Sequence, residues 1–310
     1  MTALAAVSVH LPEEVTSITP YLADVGLSPA QIKLYHRFYG FSRLRLAPSE
    51  SITELMLAAA KGLDALRGRE NHVRYLVQAK TIQLAAPYPR NPLHEVREAL
   101  GLDHAIAFSL TQHACASGLL AVDLCGKLLA ADGDPDALAL ILLGEKAFTP
   151  SAQLIADSAI MGEGMAAVLV TASGERDRLI GYATRTHGEY HTGPFLSPEL
   201  MATFDRLYAP ALAEVILAAV GRAGLEMSDV DLVLPHNVNQ MSWLRVAKSI
   251  GLPRDRILLD NLPELGHCFC ADSFINYRTA IEGGRLHRGA HYVMTSVGLG
   301  ATFAAMVFRH

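Results

Sequence analysis

Residues 230–257 read VDLVLPHNVNQMSWLRVAKSIGLPRDRI and contain a short apolar strand, a polar turn and an amphipathic helix in succession. The apolar run at 230–234 is typical of a strand buried in a sheet. A helix is predicted over 239–250, and Gly251-Leu252-Pro253 ends it, because glycine caps a helix and proline cannot continue one. His236 therefore follows the end of a strand. Its side chain is expected to point into a site formed at the ends of the strands.

The rest of the chain alternates short apolar runs with longer amphipathic ones, which is the pattern of an α/β protein with a largely buried sheet. Further strands are predicted at 137–143, 166–171, 179–184, 292–296 and 302–308. Further helices are predicted at 52–67, 116–131, 199–223 and 273–284.

One feature of the pattern suggests an internal duplication. In the first half, a turn of small residues ends in Cys115 and opens a helix. In the second half, a strand ends at His236 and another helix follows. Two similar α/β halves, 1–174 and 175–310, would bring both strand ends to one face. A single doubly wound domain is the alternative.

Composition excludes several classes of function. Hydrophobic residues make up 51% of the 310 residues, which is enough to bury one large core or two coupled ones. Charged residues make up 18% and the formal net charge is −5, so a basic footprint for nucleic acid is absent. The opening MTALAAVSVHLPEEV lacks the basic region of a secretory signal, and a cytoplasmic protein is expected.

The cysteines and the charge-free stretches also exclude some kinds of site. Four cysteines are too few for a disulfide scaffold, and Cys268-Phe-Cys270 lacks the usual zinc-knuckle spacing, so no metal site is expected. The stretches 104–122 and 289–308 lack charged side chains. Their histidines, hydroxyls and glycines favour buried sheet in both, and no membrane span is expected.

Cys115 is the candidate nucleophile. It lies among small residues in Thr-Gln-His-Ala-Cys-Ala-Ser-Gly, directly before an amphipathic run. The positive end of a helix dipole and free backbone N–H groups favour the thiolate, which is the nucleophilic form. The small neighbours permit a sharp turn and close approach of a substrate carbonyl. Cys125 lies inside the same helical run among leucines and is predicted to be a core residue.

Three later segments supply candidate partners for Cys115. They contain His236, then His267 with Asp272 five residues on, and then Gly298 in a glycine turn between two apolar strands. A thioester carbonyl needs a nucleophile, a base, and N–H donors for the oxyanion. Asp272 is the local candidate to orient His267 and stabilise its cation. Gly298 has no side chain to keep its N–H away from the carbonyl.

Three other histidines are predicted to be structural rather than catalytic: His113, His187 and His191. His113 precedes Cys115 by two residues and is also a candidate to shape the pocket.

Taken together, these segments resemble the ketoacyl-ACP synthase III-like enzymes of the thiolase superfamily. The likeness spans nearly the whole chain, with the motifs in the family's order and spacing. It rests on the segments GFSRLRLAPSESITELMLAAA at 40–60, ACASGLLAV at 114–122, LILLGEKAF at 140–148, MGEGMAAVLV at 161–170, the histidine segment at 230–257, and SVGLGATFAAMVF at 296–308.

The resemblance implies a duplicated, five-layered αβαβα thiolase fold, usually homodimeric. It implies acyl-CoA or acyl-carrier-protein donors, which deliver the acyl group through a pantetheine tunnel, and no bound cofactor beyond the donor. Cys115 and His236 match the family's catalytic cysteine and histidine, and Gly298 matches its oxyanion glycine, which pairs with the N–H of Cys115. The helix after Cys115 and the strand at 137–143 are expected to support the dimer.

Two departures from the family pattern bear on function. The family's usual Gly-Asn-Thr-Ser-Ala-Ala-Ser carries an asparagine that helps decarboxylate a malonyl unit, and here His267 stands in its place with Asp272 behind it. This resembles a divergent subgroup of secondary metabolism that uses Cys, His and Asp to transfer acyl groups. The early tryptophan segment is also missing, since the only tryptophan is Trp243, so standard stacking on the CoA adenine is not expected.

The leading hypothesis is therefore an acyltransferase that delivers a Cys115-bound acyl group to a small-molecule acceptor in a biosynthetic pathway, with His267 as base. The alternative is a decarboxylating synthase, in which His236 and His267 stabilise an enolate. An α/β-hydrolase is disfavoured, because its acid precedes its histidine in the chain whereas here the histidine comes first. A non-catalytic subunit is disfavoured because the cysteine is present.

Overall fold

Strands and helices alternate along the chain, as predicted, in the computed structural model, which describes residues 1–83, 86 and 89–310. The first half contains β1 Ala3–His10, β2 Glu14–Ser17, α1 Ile18–Asp24, α2 Pro29–Leu34, β3 Arg43–Leu46, α3 Ile52–Lys61, β4 Val73–Ala79, α4 Pro92–Ala99, β5 Ile106–Leu110, α5 Ser117–Asp132, β6 Leu138–Leu143, α6 Pro150–Gln153, β7 Leu154–Ile155, β8 Ala159–Ile160 and β9 Met165–Thr171. The second contains β10 Arg178–Thr186, α7 Pro198–Arg222, β11 Leu232–Leu234, α8 Gln240–Ile250, α9 Leu262–Leu265, α10 Asp272–Glu282, β12 His291–Gly298 and β13 Thr302–Arg309.

Nine strands form a mixed sheet in the order β11-β12-β13-β10-β1-β9-β6-β4-β5. At one end, β4 is parallel to β5 and β6, and β9 is antiparallel to β6. At the other end, β12 is parallel to β11, and β13 is antiparallel to β12. The two ends therefore repeat the same pattern of strand directions, and they join through β1 and β10 at the pair Ala3 and Arg178. The predicted boundary after residue 174 falls in the loop between β9 and β10, and it stays a prediction.

The side chains of each sheet end alternate between two apolar cores. In β6, Ala139, Ile141 and Leu143 join a central core that also contains residues of α5 and α10. The intervening leucines of β6 pack in an outer core with α3 and α4. In the second half, the same central core receives one face of β13, and α7 and α8 cover the other. The layers are thus helix, sheet, helix, sheet, helix, which confirms the predicted αβαβα thiolase fold.

The predicted elements agree closely with the structure, except in two places. All six predicted strands are present, and four of the five predicted helices end within two residues of their predicted bounds. The helix predicted over 52–67 is wrong beyond Lys61, where α3 ends. A Cβ on Gly62 would lie 2.1 Å from Ser8 Oγ on β1. The end of α3 is thus packed against β1, a tertiary contact that the local pattern does not reveal.

The stretch 104–122 was expected to be buried sheet and is only partly so. Ile106–Leu110 forms β5, a half-exposed strand at the sheet edge, and the rest opens α5. The stretch 289–308 does form the buried strands β12 and β13, as predicted.

Among the described residues, one helical stretch is long and apolar enough to cross a membrane by length and composition alone. It is Ala114–Asp132, with a mean hydropathy of 1.6. Of this window, 61% is buried inside the protein, because α5 lies in the central helical layer. A central helix meets the same criteria as a membrane span, so the stretch is weak evidence for one.

Candidate active site

Two equivalent turns bring the candidate residues to the centre of the molecule. Ala114–Ala116 forms a 3-10 turn before α5, and Phe269–Ala271 forms one before α10. Each turn begins with a non-glycine residue in the left-handed region, at φ 45° for Ala114 and 54° for Phe269. Such strain costs of order 1–3 kcal/mol and is concentrated at functional sites. The duplicated fold thereby places Cys115 in one turn and Asp272 directly after the other.

The Cys115 thiol is buried and has two polar neighbours. Its Sγ lies 3.3 Å from His267 Nε2, and Thr81 Oγ1 donates to it at 3.2 Å. The residue immediately precedes the first turn of α5, where the helix dipole favours negative charge. The sulfur is thus held between a hydroxyl and an imidazole, an arrangement that suits a nucleophile paired with a base.

His267 and Asp272 form a buried pair behind the thiol. His267 Nδ1 makes a short hydrogen bond to Asp272 Oδ2, and each side chain is 2% exposed. The Asp272 carboxylate also accepts from the backbone N–H groups of Cys268 at 2.7 Å and Asn237 at 2.5 Å. The Asn237 side chain also donates through Nδ2 at 3.3 Å, so four N–H groups hold this carboxylate, which fixes the orientation of the imidazole.

The charges around His267 favour its protonated form. Burial alone would lower the pKa of His267, but the Asp272 carboxylate and the Cys115 sulfur outweigh burial and raise it to about 10. The resting site therefore pairs an imidazolium with the Cys115 sulfur. The structure thus brings Asp272, His267 and Cys115, three residues singled out in the sequence, into one continuous hydrogen-bonded chain.

His236 shares the site but lies outside this chain. Its ring centre is 6.3 Å from that of His267, and its Nε2 lies 2.5 Å from the hydroxyl of Tyr208 on α7. Its backbone carbonyl accepts from Trp243 Nε1 at 3.0 Å. Burial, with His267 nearby, holds the pKa of His236 well below its usual value, so the ring is neutral.

Gly298 packs its backbone against the turn that carries Cys115. A Cβ on Gly298 would lie 1.9 Å from the His113 carbonyl oxygen, so no side chain fits there. Two residues earlier, Ser296 Oγ donates to the Cys115 carbonyl at 2.8 Å. The end of β12 thus lies close beside the nucleophile, and the assignment of Cys115 and Gly298 to the oxyanion hole stays a prediction.

We expect Gly298→Ala to destabilise the protein and to distort the site. The clash is with backbone and cannot be relieved by a rotamer change, so the free energy of unfolding should fall by roughly 1–3 kcal/mol or more. Gly221→Ala in α7 is the control, since a Cβ there meets nothing within 4 Å. It should be neutral or stabilising by about 0.5–1 kcal/mol. Denaturant unfolding measures both variants, and an equally stable Gly298→Ala would contradict this packing.

A cavity of about 1020 Å³ leads to the three residues Cys115, His236 and His267. Apolar and aromatic side chains line much of it, and Arg245 and Lys248 lie at its exposed end on α8. Ligand pockets usually measure about 300–1,000 Å³, so this one has room for a long substrate.

Comparisons with known proteins agree with this architecture. Residues 220–310 match the family model of the 3-oxoacyl-ACP synthase III C-terminal region. The structure is similar to the acyltransferase ChlB3, with 20% identity, coverage of 99% of this chain and 97% of that one, and a TM-score of 0.86. For FabH of Pseudomonas aeruginosa PAO1, a 3-oxoacyl-ACP synthase III, the identity is 22%, the coverage 99% and 98%, and the TM-score 0.82.

The chain therefore has the fold of the ketoacyl-ACP synthase III enzymes, and its C-terminal residues 220–310 match the model of that family. OleA of Xanthomonas campestris, solved with bound lauric acid and lauroyl-CoA, has the same fold with 18% identity, coverage of 100% and 99%, and a TM-score of 0.82. This fold excludes the α/β-hydrolase alternative, which the sequence already disfavoured, because the architecture of that fold differs.

Three residues of this candidate site were not identified from the sequence. Tyr208 looks like any core aromatic residue of a long helix, and Thr81 follows β4 without a motif. Glu145 accepts from the N–H groups of Thr81 at 2.5 Å and Ile82 at 2.8 Å, and burial raises its pKa to about 7. Glu145 thereby holds the loop from which Thr81 contacts Cys115.

Cys125 and three histidines were predicted to be structural rather than catalytic. Cys125 is fully buried in α5, and burial raises its pKa to about 12, which confirms it as a core residue. His187 packs edge-on against Phe303, and His191 Nδ1 lies near the Gly188 carbonyl. His113 contributes its backbone carbonyl to the close contact with Gly298.

Proposed function

We propose that the protein is an acyltransferase that carries its acyl group as a thioester on Cys115 and delivers it to a small-molecule acceptor. The observation that carries the proposal is the buried chain from Cys115 Sγ to His267 Nε2 and from His267 Nδ1 to Asp272. Such a chain supplies a nucleophile, a proton carrier and a carboxylate that stabilises the carrier's cation.

In the first step, Cys115 Sγ attacks the carbonyl carbon of the donor thioester. The donor's C–S bond breaks, and the departing thiolate takes the Nε2 proton of His267. In the second step, Nε2 accepts the proton of the acceptor's hydroxyl, amine or thiol group as that group attacks the Cys115 thioester. Cys115 leaves as thiolate beside the re-formed imidazolium, so the site returns to its resting charge.

The proposed donor is an acyl-CoA or an acyl-carrier protein. The cavity reaches from Cys115 to the exposed cations Arg245 and Lys248, which suit the phosphates of either pantetheine carrier. No further cofactor takes part in the proposed steps. We place the reaction in the cytoplasm, in a biosynthetic pathway of secondary metabolism.

Decarboxylative condensation with a malonyl donor is the second candidate. It is favoured by the presence of His236 and His267 in one cavity, with ring centres 6.3 Å apart. It is also the chemistry suggested by a similar structure, the priming β-ketosynthase of the R1128 polyketide pathway, which is 17% identical with a TM-score of 0.81. In that reaction, the two histidines would stabilise the enolate formed by loss of carbon dioxide.

Intact-protein mass spectrometry tests the proposal and separates the two candidates. The wild-type protein is incubated with a panel of acyl-CoAs and acyl-carrier proteins, and the loaded peptide is mapped. We expect an acyl adduct on the Cys115 peptide that an acceptor removes without release of carbon dioxide. Rapid carbon dioxide release from a malonyl thioester, coupled to carbon–carbon bond formation, would instead favour condensation.

The proposed assembly is a homodimer formed through the edge strand β5. The sequence-based expectation that 137–143 supports the dimer was wrong, because β6 lies inside the sheet between β4 and β9 and is fully buried. Among the described residues, the strand at this edge of the sheet is β5, where Ile106 is 61% exposed. An apolar edge strand is a template for pairing with a second copy.

Ile106→Lys should therefore shift the protein toward monomer, because a charge on the apolar strand edge opposes pairing. Light scattering at micromolar concentration measures the mass. Leu217→Lys is the control, since Leu217 is a 45% exposed apolar residue on α7. A monomeric wild type, or a dimer that Ile106→Lys leaves intact, would contradict the proposed edge.

A further inference from the structure

Tyr208 and His236 form a buried polar pair that the proposed transfer does not use. The Tyr208 oxygen lies 2.5 Å from His236 Nε2, and both residues line the cavity beside Cys115. The proton path of transfer runs through His267 and Asp272 instead. The proposed transfer reaction therefore does not explain why Tyr208 and His236 form this pair.

An imidazole nitrogen makes one in-plane hydrogen bond, as a donor when it carries the proton and as an acceptor when it does not. His236 Nε2 has Tyr208 as its partner in either tautomer. Burial raises the pKa of the Tyr208 hydroxyl, so the hydroxyl keeps its proton and can donate to Nε2. The contact occupies Nε2 in either direction, and when the hydroxyl donates, Nε2 carries no hydrogen to give to a substrate oxygen.

Tyr208 is held in this position by aromatic packing. Its ring centre is 5.9 Å from that of Phe204 and 5.8 Å from that of Phe303, both at steep angles. Trp243 packs on the other member of the pair, with its ring centre 5.3 Å from His236. The hydroxyl is thus aimed at Nε2 by residues on three separate elements of the fold.

His267 cannot supply a hydrogen-bond donor in place of His236 Nε2 without breaking its own hydrogen bonds. Its Nδ1 is bonded to Asp272, and its Nε2 faces Cys115 Sγ at 3.3 Å. An enolate oxygen at this site would therefore find both histidines engaged. Loss of carbon dioxide from a malonyl thioester leaves an electron pair that needs such donors to become an enolate.

We propose that Tyr208 sets the reaction specificity of this site: by occupying His236 Nε2, it suppresses decarboxylative condensation and leaves acyl transfer as the reaction. This assignment rests on the proposed acyltransferase function. In the suppressed reaction, the bond between the malonyl carboxylate and the α-carbon breaks, and carbon dioxide leaves. The enolate carbon then bonds to the acyl carbonyl as the C–S bond to Cys115 breaks.

The test is Tyr208→Phe, which removes one oxygen and retains the ring. With malonyl-CoA and acyl-loaded protein, we measure carbon dioxide release and acyl transfer to the acceptor found for the wild type. The ratio of release to transfer should rise by about 10²-fold, the usual value of one oxyanion donor. Tyr182→Phe removes a buried phenol oxygen on β10, outside this cavity, and should keep the wild-type ratio.

A second measurement does not depend on catalysis. In protein labelled with ¹⁵N-histidine, wild-type His236 should show an unprotonated Nε2 that accepts a hydrogen bond, and Tyr208→Phe should shift this resonance. A protonated Nε2 in the wild type would overturn the proposal, even if the variant does not fold.

The outcomes separate this proposal from the proposed function. Rapid carbon dioxide release and condensation by the wild type would reject both. A wild type that transfers without carbon dioxide release, together with an unchanged ratio in Tyr208→Phe, would reject only the role of Tyr208. A raised ratio in Tyr208→Phe but not in Tyr182→Phe would support it.

Discussion

Replacing Cys115 by alanine should abolish acyl loading, with no mass shift on the peptide that contains residue 115. Alanine has no atom that can form the thioester, and removal of a catalytic nucleophile commonly lowers turnover by about 10⁴–10⁶-fold. The variant should remain folded, because Cys115 is a small buried residue beside Ala114 and Ala116. Peptide mapping after incubation with the donor measures the loading, and melting temperature checks the fold.

Cys125→Ala is the matched control for this experiment. Cys125 is buried in the same helix, but its neighbours are core residues and it lies outside the polar chain. Its replacement leaves a small cavity at a cost of about 1 kcal/mol, whereas loading should proceed. If Cys115→Ala still acquires the full acyl adduct, the assignment of Cys115 as the nucleophile is wrong.

Asp272→Asn should leave acyl loading of Cys115 largely intact but slow delivery to the acceptor. The change removes the charge that raises the pKa of the buried His267 imidazole and stabilises its cation during proton transfer. General-base catalysis is typically worth about 10²–10⁴-fold, which is the expected loss in the rate of delivery. Single-turnover decay of the isolated acyl-protein after addition of acceptor measures this step.

Asp177→Asn tests whether the effect is specific to the site. Asp177 is also a buried carboxylate, and it accepts from Tyr277 at 2.8 Å, Tyr292 at 2.9 Å and His310 Nδ1 at 2.8 Å. Both substitutions should lower stability, because each disturbs a buried network. Only Asp272→Asn should slow delivery. If both variants lost the same fraction of the delivery rate, the role of Asp272 would be structural rather than catalytic.

The sequence indicated most of the strands because they are buried and apolar. Runs such as 137–143 and 302–308 are apolar at nearly every position, which fits strands covered on both faces. The edge strand β5 was not delimited within the stretch 104–122, which was expected to be buried sheet, because half of its surface is exposed and its pattern lacks either a clear alternation or a continuous apolar core. The periodicity of apolar residues indicates which side chains are buried. It therefore does not predict a strand well when other elements cover only part of that strand.

The candidate site was predicted where its residues carry local signals. Cys115 lies among small residues before a helix, and His267 and Asp272 are close in sequence, so they could be paired without coordinates. Tyr208 lies 28 residues from His236, and nothing in its helix distinguishes it from a core aromatic residue. The same holds for Thr81, which contacts Cys115, and for Glu145, which holds Thr81, because both contacts form only in the folded chain.

The sequence by itself therefore indicated an α/β protein with a buried sheet, the candidate nucleophile and the histidine–aspartate pair, because short-range patterns encode burial, helix starts and neighbouring polar groups. The thiolase architecture was implied by the resemblance of its motifs to a known family. Only the tertiary structure decided which atoms of these residues are free to react. His267 was brought to Cys115 across 152 positions of sequence, and the hydrogen bond of Tyr208 to His236 Nε2 depends on α7 packing beside β13. Hydrogen-bond directions between distant elements are set by packing, and packing is a property of the whole chain.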